Sequence, residues 1–167
     1  MIAYKFLGTG AVGRFTGFRW QLDVWVEADE AAPCRSGIHA CRREHLPIWL
    51  DSELWEIELD GGVIEGERKL VARRGRLKRR IERWTSDVAQ EFGRFCMRRT
   101  RERVGYLPVL SGFVADVDRF VSQDRIAIAG FAAARAAELR DGAAAYEAER
   151  LAQAAWLAER LGLRGSR

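Results

Sequence analysis

The hydrophobic spacing of this chain changes period part-way along, and that change fixes the class of fold open to it. Before residue 76, apolar side chains recur at every second position. Phe18, Trp20, Leu22, Val24 and Val26 alternate with Arg19, Gln21 and Asp23, and Trp55, Ile57 and Leu59 alternate with Glu56 and Glu58. A period of two lines one face of a strand, so these segments predict half-buried strands. From Arg76 onward, Leu77, Ile81, Trp84, Val88, Phe92 and Phe95 recur at intervals of three and four, the stripe of an amphipathic helix. The expectation is an α+β fold: a small twisted β-sheet over residues 1–75, then a helical region over residues 76–167 built as a bundle of about four helices and packed on the sheet as one unit.

Further signals fill in this outline. Ile2 to Leu7 reads as a first strand closed by Gly8-Thr9-Gly10, and Ile38 to Cys41 as another after the acidic loop that ends at Pro33. Leu46-Pro47 opens a turn or short helix. Asp60-Gly61-Gly62 is a turn signal followed by weaker strands at Val63-Ile64 and Leu70 to Ala72, which makes about five strands. Thr85-Ser86-Asp87 offers a cap for a second helix, so the stripe from Leu77 to Phe95 reads as one long helix or as two joined near Trp84. Beyond the break at Tyr106-Leu107-Pro108, Ser111 and Asp124 each precede an apolar helical pattern, and Asp141-Gly142 separates these from an alanine-rich helix running from Ala143 to Leu161. Trp20, Trp55, Leu77, Ile81, Phe92 and Val117 are the expected core.

Composition narrows the function classes. With 48% hydrophobic and 31% charged residues over 167 positions, the chain has the profile of a folded protein. The longest apolar run, Ile126 to Ala134, falls far short of the ~20 residues that a helix needs to cross a bilayer, so no membrane partner is expected. No secretion signal is legible at the start, and three cysteines are an odd number, which predicts free thiols or metal ligands in a reducing, cytoplasmic setting. Charge is uneven: residues 1–66 carry 6 basic and 11 acidic side chains, whereas residues 67–103 carry 14 basic and 5 acidic. No Gly-x4-Gly-Lys-(Ser/Thr), Gly-x-Ser-x-Gly or His-Glu-x-x-His string is present, so the common enzyme classes that carry them find no support.

Two candidate chemistries follow from the residues alone. Cys34, His39, Cys41 and His45 lie within twelve positions and include both histidines. Thiolate and imidazole are the ligands zinc prefers, although the spacing Cys-x4-His-x-Cys-x3-His matches no common zinc pattern, and small core cysteines beside locally bonded histidines fit it as well. The second is a basic belt from Arg68 to Arg83, in which Arg73, Arg74, Arg76, Arg79 and Arg80 are candidate contacts to nucleic acid or another anion. Its alternative is the solvated face of a surface helix with Trp84 in the core stripe.

A third comes from resemblance. Cys34-Arg-Ser-Gly37-Ile38-His39-Ala40-Cys41, with Leu46-Pro47, Trp49-Leu50 and Glu53-Leu54-Trp55-Glu56-Ile57-Glu58-Leu59 after it, resembles a family of uncharacterised bacterial and phage domains over roughly residues 1–75. More remotely, the order of pieces is similar to ADP-ribosyltransferases, with Phe6-Leu7-Gly8-Thr9 in place of their first-strand His-Gly-Thr and Gly37-Ile38-His39-Ala40 in place of Gly-Ile-Tyr-Phe. That resemblance implies NAD as cofactor, His39 against nicotinamide, and Glu56 or Glu58 as the catalytic carboxylate. Leu7 stands where the family's ribose-binding histidine would be. The sequence-based expectation is therefore an accessory or interaction domain without turnover, meeting a protein partner or a second copy through its C-terminal helices. An NAD-dependent transferase and a nucleic-acid binder are the alternatives.

Overall fold

The computed structural model describes residues 1–33 and 35–163. Its element order is β1 (Ile2–Leu7), β2 (Val26–Glu27), β3 (Ile38–Ala40), a 3-10 turn (Arg43–Ile48), β4 (Glu53–Glu65), β5 (Leu70–Arg80), then α1 (Ser86–Val104), α2 (Gly112–Ser122), α3 (Ile126–Asp141) and α4 (Ala143–Leu161). The chain is α+β, five antiparallel strands followed by four helices. It divides into two compact units that meet in sequence between Thr85 and Ser86.

The N-terminal unit is organised by the long β4–β5 hairpin. β1 pairs with β4 from Ile2 opposite Glu58 to Leu7 opposite Glu53, and β5 carries β3 at its start and β2 further along. Immediately after β3, Tyr4 and Cys41 exchange backbone hydrogen bonds of 2.9 and 2.8 Å. Hydrogen bonding thus passes from β1 through β4, β5 and β3 and returns to β1. Inside this curl lie Ala3, Leu7, Trp20, Ile38, Ala40, Ile57, Leu59, Leu70, Ala72 and Leu77, with Trp55 partly buried against them. Gly75 of β5, paired with Val26 and Leu59, is required because a Cβ there would come within 2.6 Å of Ile38 Cγ2.

Three expectations are corrected. Leu77 and the belt from Arg73 to Arg80 lie on a strand, and the helix begins only at Ser86, within the Thr85-Ser86-Asp87 string. The interval of four from Leu77 to Ile81 is even, so it serves a strand as well as a helix, and pairing with β4 decides between them. Asp60-Gly61-Gly62 is a bulge within β4, with φ of +76° and +81° at its glycines, and the hairpin turns later, where Gly66 N donates to Lys69 O. The segment from Phe18 to Val26 is no strand except at its end: Asp23 takes a left-handed φ of 57° and its N–H donates to Leu77 O, which breaks the alternation. Of its apolar residues only Trp20 is buried.

In the C-terminal unit α3 packs on the other three helices and buries Ala129, Ala132, Ala133, Ala136 and Ala137, whose small side chains permit close approach. α1 presents Phe92, Cys96, Thr100 and Val104 at intervals of four. Among these apolar faces sits Glu149 of α4, 1% exposed, clamped by Arg99 Nε at 2.9 Å from both carboxylate oxygens. Gln153 donates to Gly130 O at 3.0 Å and accepts from Arg150 Nη1 at 2.9 Å, so this buried amide is bonded inside the unit.

Candidate functional site

Three residues of the Cys/His cluster, His39, Cys41 and His45, are described. His39 lies on β3 between the inward-facing Ile38 and Ala40, its Nδ1 3.1 Å from Gly37 O. Burial and then the charges of Lys5 and Lys69 lower its pKa, which keeps the ring neutral near pH 7. Cys41 is buried, and its thiol is pushed up to about 12 by that burial. His45 sits in the 3-10 turn, and Cys34 lies outside the described residues. Among the described residues no group of three His, Cys, Asp or Glu side chains is gathered to hold a metal ion.

The carboxylates implied by the transferase resemblance are both engaged. Glu56 accepts from Arg79 Nε and Nη2 at 3.1 and 3.0 Å, and Glu58 accepts from Arg76 Nε at 2.8 Å. Glu56 is opposite Tyr4, which bridges to Cys41, two residues from His39, so β1 is what links the three implied positions. Leu7 on that strand is 1% exposed and belongs to the core.

The same ion pairs define the basic belt. Arg74 reaches Glu27 and Asp60, Arg76 reaches Glu58, Lys78 reaches Asp23 at 2.7 Å, Arg79 reaches Glu56, and Arg80 reaches Glu53 and Glu82. The Trp25 ring also stands 4.7 Å from the guanidinium carbons of both Arg74 and Arg76. Each exposed pair contributes only about 0–1 kcal/mol to stability. Their effect on the field is larger, because the belt that is strongly positive in sequence lies against acidic residues of β4 and the segment before β3.

Three features were not singled out from the sequence. Glu53, 6% exposed, accepts from Gly10 N at 2.9 Å, Ala11 N at 3.1 Å and Trp55 Nε1 at 3.0 Å. Burial pushes its pKa up, but these hydrogen bonds and the Arg80 charge outweigh it and hold the carboxyl below its ordinary range. Lys5 occupies the inward register of β1 between Ala3 and Leu7; its Nζ donates to His39 O at 2.6 Å and lies 5.2 Å from the Trp20 ring. Burial brings its pKa down to about 8. The alternation Ala3, Lys5, Leu7 was the available signal. Third, the segment between β1 and β2 exposes Phe15 at 89%, Leu22 at 55%, Val24 at 47% and Phe18 at 45%.

On the C-terminal helices, Phe131, Leu139 and Leu151 are exposed. No helix among the described residues is long and apolar enough to cross a membrane. No family model, curated protein or solved structure matches the chain.

Proposed function

We propose that this chain is a protein-interaction module whose N-terminal unit presents the segment from Phe15 to Val24 to a partner protein. The observation that carries this reading is the exposure of Phe15, Phe18, Leu22 and Val24 within ten residues, outside any long strand. Exposed large apolar side chains grouped in this way gain free energy by being covered, and aromatic residues are the usual anchors of protein contacts. Two features support the choice over the alternatives. Glu56 and Glu58 are held by arginines, so neither is a free carboxylate waiting for developing positive charge. Arg74, Arg76, Arg79 and Arg80 of the belt spend their charge on neighbouring carboxylates, which leaves less for phosphates.

The test is co-purification from the cells that make the protein, wild type beside Phe15→Ser/Leu22→Ser. Both sites are exposed, so the double variant folds as the wild type does, checked by circular dichroism. A partner present with wild type and depleted at least ~10-fold with the variant is the expected result, since losing two anchors costs upwards of 1.4 kcal/mol. Equal recovery of every co-purifying protein would overturn the assignment.

A further inference from the structure

Part of the positive excess of residues 67–103 has no carboxylate against it, and it lies on one face of α1. Elsewhere in the C-terminal unit arginines are set against acids: Arg99 and Arg103 hold Glu149, Arg119 meets Asp116, Arg135 meets Glu138 and Arg160 meets Glu91. Arg94, Arg98 and Arg101 are exposed and form no ion pair among the described residues. Their intervals of four and three place them within a sector of about 60°, along about 10.5 Å of the helix axis. Like charges at these intervals weaken a helix, so the row opposes folding until an anion lies against it. The acids of α1 stand apart from the row. Asp87 is in the first turn, Glu91 is held by Arg160, and Glu102 lines a separate depression with Arg99, Arg103 and Arg140. No large apolar side chain of α1 is exposed. A protein interface needs an apolar centre within its polar rim, and a helix that enters a lipid surface needs an exposed apolar face. This face has neither, which leaves a partner held by charge alone.

We propose that Arg94, Arg98 and Arg101 bind the phosphate backbone of a nucleic-acid duplex, with this face of α1 laid against it. The match is one of charge density and donor shape. A duplex carries one negative charge per ~1.7 Å of axis, about 3.4 Å along each strand, so a row of about 10.5 Å faces three phosphates of one strand. Each guanidinium offers a planar fork of N–H donors that fits two oxygens of a phosphate. Contacts of this kind fix position without reading bases, so the binding is independent of sequence. The site lies in the C-terminal unit and does not rest on the partner segment from Phe15 to Val24, which belongs to the N-terminal unit.

The test is fluorescence anisotropy of a labelled, mixed-sequence duplex of ~20 base pairs, as DNA and as RNA, with the full-length chain in a salt series from ~20 to ~150 mM. Two triple variants are compared with wild type. Arg94→Gln/Arg98→Gln/Arg101→Gln removes three charges from the α1 face, and Arg19→Gln/Arg73→Gln/Arg83→Gln removes three exposed charges from the N-terminal unit. All six positions are exposed, so both variants keep the fold, checked by circular dichroism. At the lowest salt the α1 variant is expected to lose at least ~10-fold in affinity and the other no more than ~2-fold. The slope of log affinity against log salt should shrink by about 2.7 on DNA in the α1 variant, three contacts at about 0.9 each. Tighter binding of one duplex supports the proposal and tells which nucleic acid the face takes. No binding at ~20 mM salt, where charge is least screened, would overturn it. Equal losses in the two triple variants would overturn it too, as would tighter binding to phosphatidylserine vesicles than to either duplex.

Discussion

Replacing Glu53 by alanine should cost far more than its place at the edge of a strand suggests. Gly10 and Ala11, with φ of +76° and +57°, turn two successive N–H groups toward its carboxylate. The Trp55 indole donates a third bond, and Arg80 stands at 3.6 Å. Alanine leaves these three donors without their acceptor, at ~1–3 kcal/mol each before water relieves the more accessible ones, so a loss of ~3–5 kcal/mol is expected. The left-handed Ala11, which itself costs ~1–2 kcal/mol, loses what holds it. Glu56→Ala serves as the comparison: its carboxylate joins Arg79 on the outer surface and should cost less than ~1 kcal/mol. Urea unfolding followed by tryptophan fluorescence, with hydrogen exchange read at the Gly10 and Ala11 amides, measures both. The pH dependence has a definite sign. Because the folded-state pKa of Glu53 is depressed, its contribution is fully present above the unfolded value of ~4.3 and is lost as pH falls through the folded value. Equal costs for Glu53→Ala and Glu56→Ala, with unchanged exchange at Gly10 and Ala11, would refute this reasoning.

Two further outcomes test the packing of the N-terminal unit. Gly75→Ala places a methyl 2.6 Å from Ile38 Cγ2 and 3.2 Å from Ile57 Cδ1, and should destabilise by ~1–3 kcal/mol in the same urea assay. The Cys41 thiol, pushed up to about 12, should resist iodoacetamide at pH 8 in the folded protein and react promptly once urea opens the sheet.

Much of the architecture was legible because its signals were local. The alternation from Leu54 to Leu59 marks β4, and the alanine-rich run ending at Leu161 marks α4. β5 was misread because Leu77, Ile81 and Trp84 suit a helical stripe, while its strand character rests on β4 and on a bulge at the Glu56/Ile57 step. That register also puts Arg79 against Glu56 and Arg76 against Glu58, so the neutralisation of the belt could not be read from charge counts along one chain. The segment from Phe18 to Val26 misled for the opposite reason. Its pattern is that of a strand, but the left-handed turn at Asp23 comes from a tertiary hydrogen bond to Leu77. Lys5 was legible by parity alone, as a lysine between two core residues of β1.

The contest between an interaction module and an NAD-dependent transferase is settled most directly by nicotinamide release. The wild-type chain is incubated with millimolar NAD beside Glu56→Ala and Glu58→Ala, and NAD binding is followed in parallel by calorimetry. With both carboxylates held by Arg79 and Arg76, the account predicts that release by wild type equals the spontaneous rate and is unchanged in either variant. Release well above that rate by wild type, abolished by one of the glutamate substitutions, would contradict it.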